Sequence, residues 1–182
     1  MKDGFIKAAA ASPEIRVADC DYNADAIINS VMQLAQEQVK LAVFPELCIT
    51  GYTCGDLFLQ KALLDAAERA VRLIARKTCS CDIIFAVGTP MAVQNRLYNC
   101  AVIINRGKIL GIVPKSFIPN YSEFYELRHF SPAPADNTEI RYAGQSVLFG
   151  TDLLFCCETM PELCIAAEIC EDLWVPQSPS VR

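Results

Sequence analysis

Three apolar runs in this sequence each end in a side chain able to do chemistry. "LAVFP" delivers Glu46, "ILGIVP" delivers Lys115 and "LCIAAEI" delivers Cys170. A cysteine with a base in reach is a nucleophile for acyl transfer, and the thiolate is its reactive form. The setting of Cys170 works against that form. Glu168, Glu171 and Asp172 crowd it in "AAEICEDLW", and neighbouring carboxylates oppose a thiolate. A base and a cation must therefore come from elsewhere in the chain. Glu46 can take the thiol proton and later pass it to a leaving amine. Lys115 can offset the acids and stabilise an oxyanion on an attacked carbonyl. The backbone N–H of Glu171 is a natural second donor to that oxyanion. His129, the sole histidine, is the alternative base, although a histidine in a loop such as "ELRHFSP" is more often simply exposed. Taken singly, each residue reads as ordinary: a solvated Glu or Lys past a strand, a cysteine in the core. Their combination at strand ends, with proline before both Glu46 and Lys115, favours one shared site, because ligands gather at the carboxyl ends of strands in α/β sheets.

The elements that must position them follow from periodicity. "GFIKAAAA" (4–11) reads as a first strand. Ile27, Val31, Leu34, Ala35 and Val39 recur at helical spacing over 23–39. "LAVFPE" (41–46) is a short buried strand, and "LCITGYTCGD" a loop. A second helix is expected over 57–77, then a strand over 82–90. "LYNCAVIINRGKILGIVPK" reads as a hairpin turning at Asn105-Arg106-Gly107-Lys108. Residues 115–144 carry prolines and aromatics without a period and read as a long ordered loop. "SVLFG", "DLLFCCE" and "LCIAAEIC" read as three further strands. The order implies an α/β layered domain with a mixed sheet.

Composition bounds the function. The 182 residues, 53% hydrophobic and 20% charged, suffice for one well-packed domain. A net charge of −5 without a basic run argues against nucleic acid as a partner. No apolar stretch is long enough for a membrane span, and "MKDGFIKAAAAS" has no signal-peptide h-region. The ten cysteines are accordingly expected to be reduced thiols acting as small hydrophobes in a cytoplasmic protein. "CSC" (79–81) and the "CC" pair (156–157) lack zinc-knuckle spacing, and no metal site is expected.

"FPELCITGY", "PKSFIPNYSEFYE" and "EICEDLW" resemble, in order, the three signature segments of the nitrilase (carbon–nitrogen hydrolase) superfamily. "GYTCGDLF" and "CEDLWVP" resemble its branch of glutaminase domains in glutamine-dependent NAD synthetases. The resemblance runs from about residue 4 to about residue 176 of the sequence. It implies a Glu-Lys-Cys triad of Glu46, Lys115 and Cys170. It implies a second glutamate at Glu123, and glutamine-pocket aromatics at Tyr52, Tyr121 and Phe124. The implied fold is an α-β-β-α sandwich of mixed sheets, incomplete at the C-terminus because the sequence ends shortly after Cys170. Residues 1–182 would then be a partial glutaminase domain without its synthetase domain. The implied reaction is glutamine hydrolysis through a thioester. Its ammonia would serve ATP- and Mg²⁺-dependent amination of deamido-NAD to NAD in a homo-oligomeric full-length enzyme. The phosphate loops that would hold ATP, G-x-x-x-x-G-K-[ST] or Ser-Gly-Gly, are not in this sequence. A free-standing amidase or carbamoylase and an inactive fragment are the alternatives.

Overall fold

A computed structural model describes residues 5–181. Its main sheet has seven strands in the order β1-β2-β3-β4-β5-β7-β6. These are β1 (Ala8–Ala10), β2 (Leu41–Val43), β3 (Ile84–Val93), β4 (Arg96–Asn105), β5 (Lys108–Pro114), β6 (Thr138–Tyr142) and β7 (Gln145–Phe149). The strands β1, β2 and β3 run parallel, β3-β4-β5 antiparallel, and β5 pairs parallel with β7 through Ile112 and Phe149. The sheet is mixed, as expected. A separate antiparallel pair is formed by β8 (Phe155–Cys157) and β9 (Met160–Ile165).

Three two-residue turns shape the antiparallel part. Gln94-Asn95, Arg106-Gly107 and Ala143-Gly144 all have positive φ at both positions. That conformation matches the right-handed twist of the flanking strands. Only the Arg106-Gly107 turn is legible in the sequence.

The helices α1 (Cys20–Gln36) and α2 (Lys61–Lys77) pack on each other, and α2 packs against β3. The buried stripe of α2 is Leu63, Ala67, Ala70, Val71, Ile74 and Ala75, and its small residues let the helix approach closely. α1 begins before the expected residue 23 because the Asp19 carboxylate caps it, accepting from the Tyr22 N–H at 3.1 Å. It stops before residue 39 because Gln38 turns to φ 61°. α2 begins at 61 rather than 57, since Gly55–Leu59 form a separate 3-10 turn. β1 is shorter than 4–11, and Gly4 of that expected strand lies outside the described residues. β6 lies inside the stretch read as loop.

Most cysteines are free, as expected, but Cys156 and Cys164 form a disulfide. They face each other across the β8–β9 ladder, a pairing that only the strand register reveals. Among the described residues, no helix is long and apolar enough to cross a membrane, and no group of three or more His, Cys, Asp or Glu could hold a metal ion.

Candidate active site

Glu46 leaves the sheet just after β2 on a turn that crosses β3 at Gly88. The Ile49 N–H donates to the Gly88 carbonyl at 3.1 Å. A Cβ at Gly88 would run into the backbone of Pro45, Glu46 and Leu47, so glycine is what allows this turn to lie on the strand. The far side of the turn is tied to α1 by buried Asn23, whose Nδ2 donates to the Ile49 carbonyl at 3.0 Å and to that of Arg16 at 2.8 Å.

Lys115 follows the last residue of β5 and is fully buried. Its N–H donates to the Asn99 carbonyl of β4 at 2.8 Å. Its ammonium lies 2.8 Å from Glu46 Oε1 and 2.9 Å from each oxygen of Glu126. Three donors thus meet three carboxylate contacts. Burial opposes the charge on Lys115, but the Glu46 and Glu126 carboxylates outweigh it and hold its pKa above the ordinary lysine value.

The second glutamate is therefore Glu126, which corrects the expectation at Glu123. Glu123 is exposed. The chain turns at Ser122, with φ 52°, and a 3-10 turn over Glu126–Arg128 carries Glu126 inward. That turn is anchored on both sides. The Arg128 guanidinium grips Asp56 at 2.8 and 2.9 Å, and Phe130 packs on Phe58 with ring centroids 5.0 Å apart. Tyr52 joins the same group, its hydroxyl donating to Glu126 Oε1 at 2.8 Å. Burial and the Glu126 carboxylate both push the Tyr52 phenol upward.

Asn99 was not foreseen. It is buried in the middle of β4, and its Nδ2 donates to Glu46 Oε1. Lys115 donates to that same oxygen. Among the described residues, neither of these donors reaches Oε2. Asn99 reads in the sequence as one polar residue in "LYNCAVIIN"; its neighbourhood becomes visible only once β3, β4 and β5 are paired.

Cys170 opens a short 3-10 turn, Cys170–Leu173, beyond β9. Its φ is 48°, in the left-handed region that non-glycine residues rarely occupy. It is exposed, and its thiol is raised above the ordinary value by burial and by the Glu46 charge. Lys115 pulls it down, and Glu126 adds to the opposition. The acids beside it in sequence are turned to other donors. The Glu168 carboxylate accepts from the Ser180 N–H at 2.6 Å and that of Glu171 from the Tyr121 hydroxyl at 2.8 Å. Asp172 is buried and accepts from three backbone N–H groups. His129 lies away from this group, its ring against Phe58 and its Nε2 3.1 Å from Asp56.

Glu46, Asn99, Gly88 and Cys170 line a cavity of about 460 Å³, whose other walls are largely apolar, among them Phe44, Phe85 and Ile165. Tyr52, Tyr121 and Phe124 do not line it. Tyr121 stacks edge-on against Phe124, ring centroids 5.8 Å apart, on the Glu171 side of the thiol. The structure thus sets the Cys170 thiol in the field of Glu46 and Lys115, adds Glu126 and Asn99 to that group, and leaves Glu123 outside it.

This arrangement can be set beside known proteins. The carbon–nitrogen hydrolase family profile matches residues 7–181. The glutamine-dependent NAD(+) synthetase of Mycobacterium tuberculosis is 40% identical over 179 residues, which are 98% of this chain and 26% of that protein. The glutamine-dependent NAD(+) synthetase of Homo sapiens is 32% identical over 173 residues, 90% of this chain and 24% of that protein. The chain spans about a quarter of the length of these curated relatives. The crystal structure of a glutamine-dependent NAD(+) synthetase from Cytophaga hutchinsonii superposes with a TM-score of 0.82 and 32% identity, covering 91% of this chain and 28% of that one. An amidase from Nesterenkonia sp. shares the fold, with a TM-score of 0.61 at 20% identity over 81% of this chain and 56% of that one. Sequence and architecture agree, and the chain belongs to the carbon–nitrogen hydrolase family.

Proposed function

We propose that this chain is the glutaminase part of a glutamine-dependent NAD synthetase and hydrolyses the side-chain amide of glutamine through a thioester on Cys170. The observation that carries this reading is the Lys115 ammonium held between Glu46 and Glu126, with the Cys170 thiol beside Glu46. The resting thiol keeps its proton, because burial and then the Glu46 charge oppose the thiolate more than Lys115 favours it. Attack therefore requires that proton to move to Glu46 as the sulfur bonds to the amide carbon. The charge that develops on the carbonyl oxygen faces the field of Lys115 and the backbone N–H of Glu171. Lys115 already shares its three N–H groups with carboxylates, so its contribution is charge rather than a free donor. Glu46 then returns the proton to the amide nitrogen, the C–N bond breaks and ammonia leaves. Water attacks the thioester with Glu46 again as base, releasing glutamate and the thiol.

The exposed Tyr52 and Tyr121 and the half-buried Phe124 lie outside the apolar cavity, and on this reading they bound the glutamine site. The relatives are glutamine-dependent NAD(+) synthetases, which supports glutamine as the nitrogen source; deamido-NAD as the acceptor of its ammonia is part of the same proposal. ATP and Mg²⁺ belong to that second step, and none of the steps above uses them. The test is NAD formation by the enzyme carrying this chain, driven by glutamine or by free ammonia. Cys170→Ala is expected to abolish the glutamine-driven reaction and spare the ammonia-driven one. Retained glutamine-driven activity would remove Cys170 from the mechanism.

A further inference from the structure

Asp172 is the one acid beside Cys170 that is turned fully inward, and its partners are unusual. Oδ1 accepts from the backbone N–H of Ser116 at 3.0 Å and of Phe117 at 2.8 Å, the two residues after Lys115. Oδ2 accepts from the N–H of Ile169, the residue before Cys170, at 3.2 Å. The Asp172 N–H in turn donates to the Ile169 carbonyl at 3.1 Å. One carboxylate therefore touches the chain beside the lysine and the chain beside the cysteine. The reciprocal pair between 169 and 172 brackets Cys170 and spans its strained left-handed backbone, which persists only where surroundings over-determine it.

We propose that Asp172 is a positioning residue that sets the Cys170 thiol against Lys115 and Glu46. This rests on the reading of Cys170 as nucleophile and Lys115 as its cation. Asp172 touches no reacting atom. It acts by fixing two backbone segments that come from distant parts of the sequence, so that the thiol enters the field of the ion cluster at one distance. Without it the elbow at Cys170 relaxes and the thiol leaves that field. The groups that then lose their hold on the thiol are Glu46, Lys115 and Glu126; the charge facing Asp172 itself is Lys115.

Substitution separates the two halves of the staple. Asp172→Asn keeps an oxygen for the Ser116 and Phe117 N–H groups but sets an amide NH₂ against the Ile169 N–H, so it releases the cysteine side selectively. Asp172→Ala releases both. The experiment is the pH profile of Cys170 alkylation by iodoacetamide on the folded chain, with the site read by peptide mass spectrometry. Folding is checked by circular dichroism, and Cys170→Ala is the labelling control. The expected result is a midpoint in Asp172→Asn that moves down from its raised wild-type value toward that of an ordinary thiol. In the glutamine-driven reaction of the enzyme carrying this chain, kcat is expected to fall about 10²-fold, as for a misplacement of about 1 Å, with KM changed less than kcat. If Asp172→Ala fails to fold, Asp172→Asn alone decides. A folded Asp172→Asn with an unmoved midpoint and unchanged kcat overturns the proposal, leaving Asp172 a role in stability only. If instead Cys170→Ala retains glutamine hydrolysis, it is the nucleophile assignment that has failed; the alkylation profile still decides what Asp172 does to the thiol.

Discussion

Glu126 holds Lys115 with both carboxylate oxygens, each 2.9 Å from the ammonium nitrogen, and both side chains are buried. Breaking a buried pair from one side strands the other charge and typically costs about 3–5 kcal/mol. Glu126→Ala is expected to destabilise the fold by that order, read as a shift in the urea midpoint. Glu123→Ala, at an exposed position, is expected to stay within about 0.5 kcal/mol of wild type. Equal effects at the two positions would contradict the assignment of Glu126 as the lysine's partner.

The Cys170 thiol is raised above its ordinary value of 9.0 by burial and the Glu46 charge. Its alkylation should therefore reach half its maximal rate above pH 9. Glu46→Gln removes the charge that most opposes the thiolate and should lower that midpoint. The same variant loses the base, so glutamine turnover should fall by about 10²–10⁴-fold. Thiol reactivity and catalysis thus move in opposite directions, and a parallel loss of both would contradict the role given to Glu46.

Gly88 tests the positioning of Glu46 from the opposite side of the turn. A Cβ there would lie 2.8 Å from the Pro45 carbonyl oxygen and from the Glu46 carbonyl carbon, and would also meet the Leu47 nitrogen. All three are backbone atoms that cannot swing away. Gly88→Ala is expected to cost about 1–3 kcal/mol through overpacking and to displace Glu46 from Lys115. An unchanged melting temperature and unchanged turnover would show that the turn can shift freely.

Buried thiols give the fold an alkaline limit. Burial pushes Cys20 up to about 11 and Cys48 to about 12, from an ordinary 9.0. Both bind their protons more tightly folded than unfolded. Their contribution to stability is whole below pH 9 and is lost as pH rises through those folded values. Urea midpoints should therefore hold below pH 9 and fall between about pH 9 and about pH 11. The slope should be shallower in a variant carrying Cys20→Ala and Cys48→Ala. A flat profile in wild type would contradict it.

Glu46 and Lys115 were legible because a short hydrophobic run announces a strand, and its end announces a site. They do meet there, 2.8 Å apart. The strand expected to end at Cys170 stops at Ile165 instead, and Cys170 sits beyond it in a 3-10 turn. Glu126 was missed because it lies in a stretch with no period, where counting residues from Lys115 cannot reveal which way Ser122 turns the chain. Asn99 was hidden inside an apolar strand, and only the pairing of β4 with β3 and β5 shows its neighbour. Asp172 looked like an acid hostile to the thiol, and its carboxylate is spent on three backbone N–H groups. β6 was lost in a proline-rich segment, and the Cys156–Cys164 disulfide depends on a strand register that spacing does not supply.

The most direct measurement of the central claim is intact-mass analysis of the protein mixed with glutamine and quenched in acid. The account expects a covalent glutamyl adduct on Cys170, hydrolysed with time to glutamate and absent from Cys170→Ala. An unmodified wild-type mass, or an adduct that persists in Cys170→Ala, would contradict it.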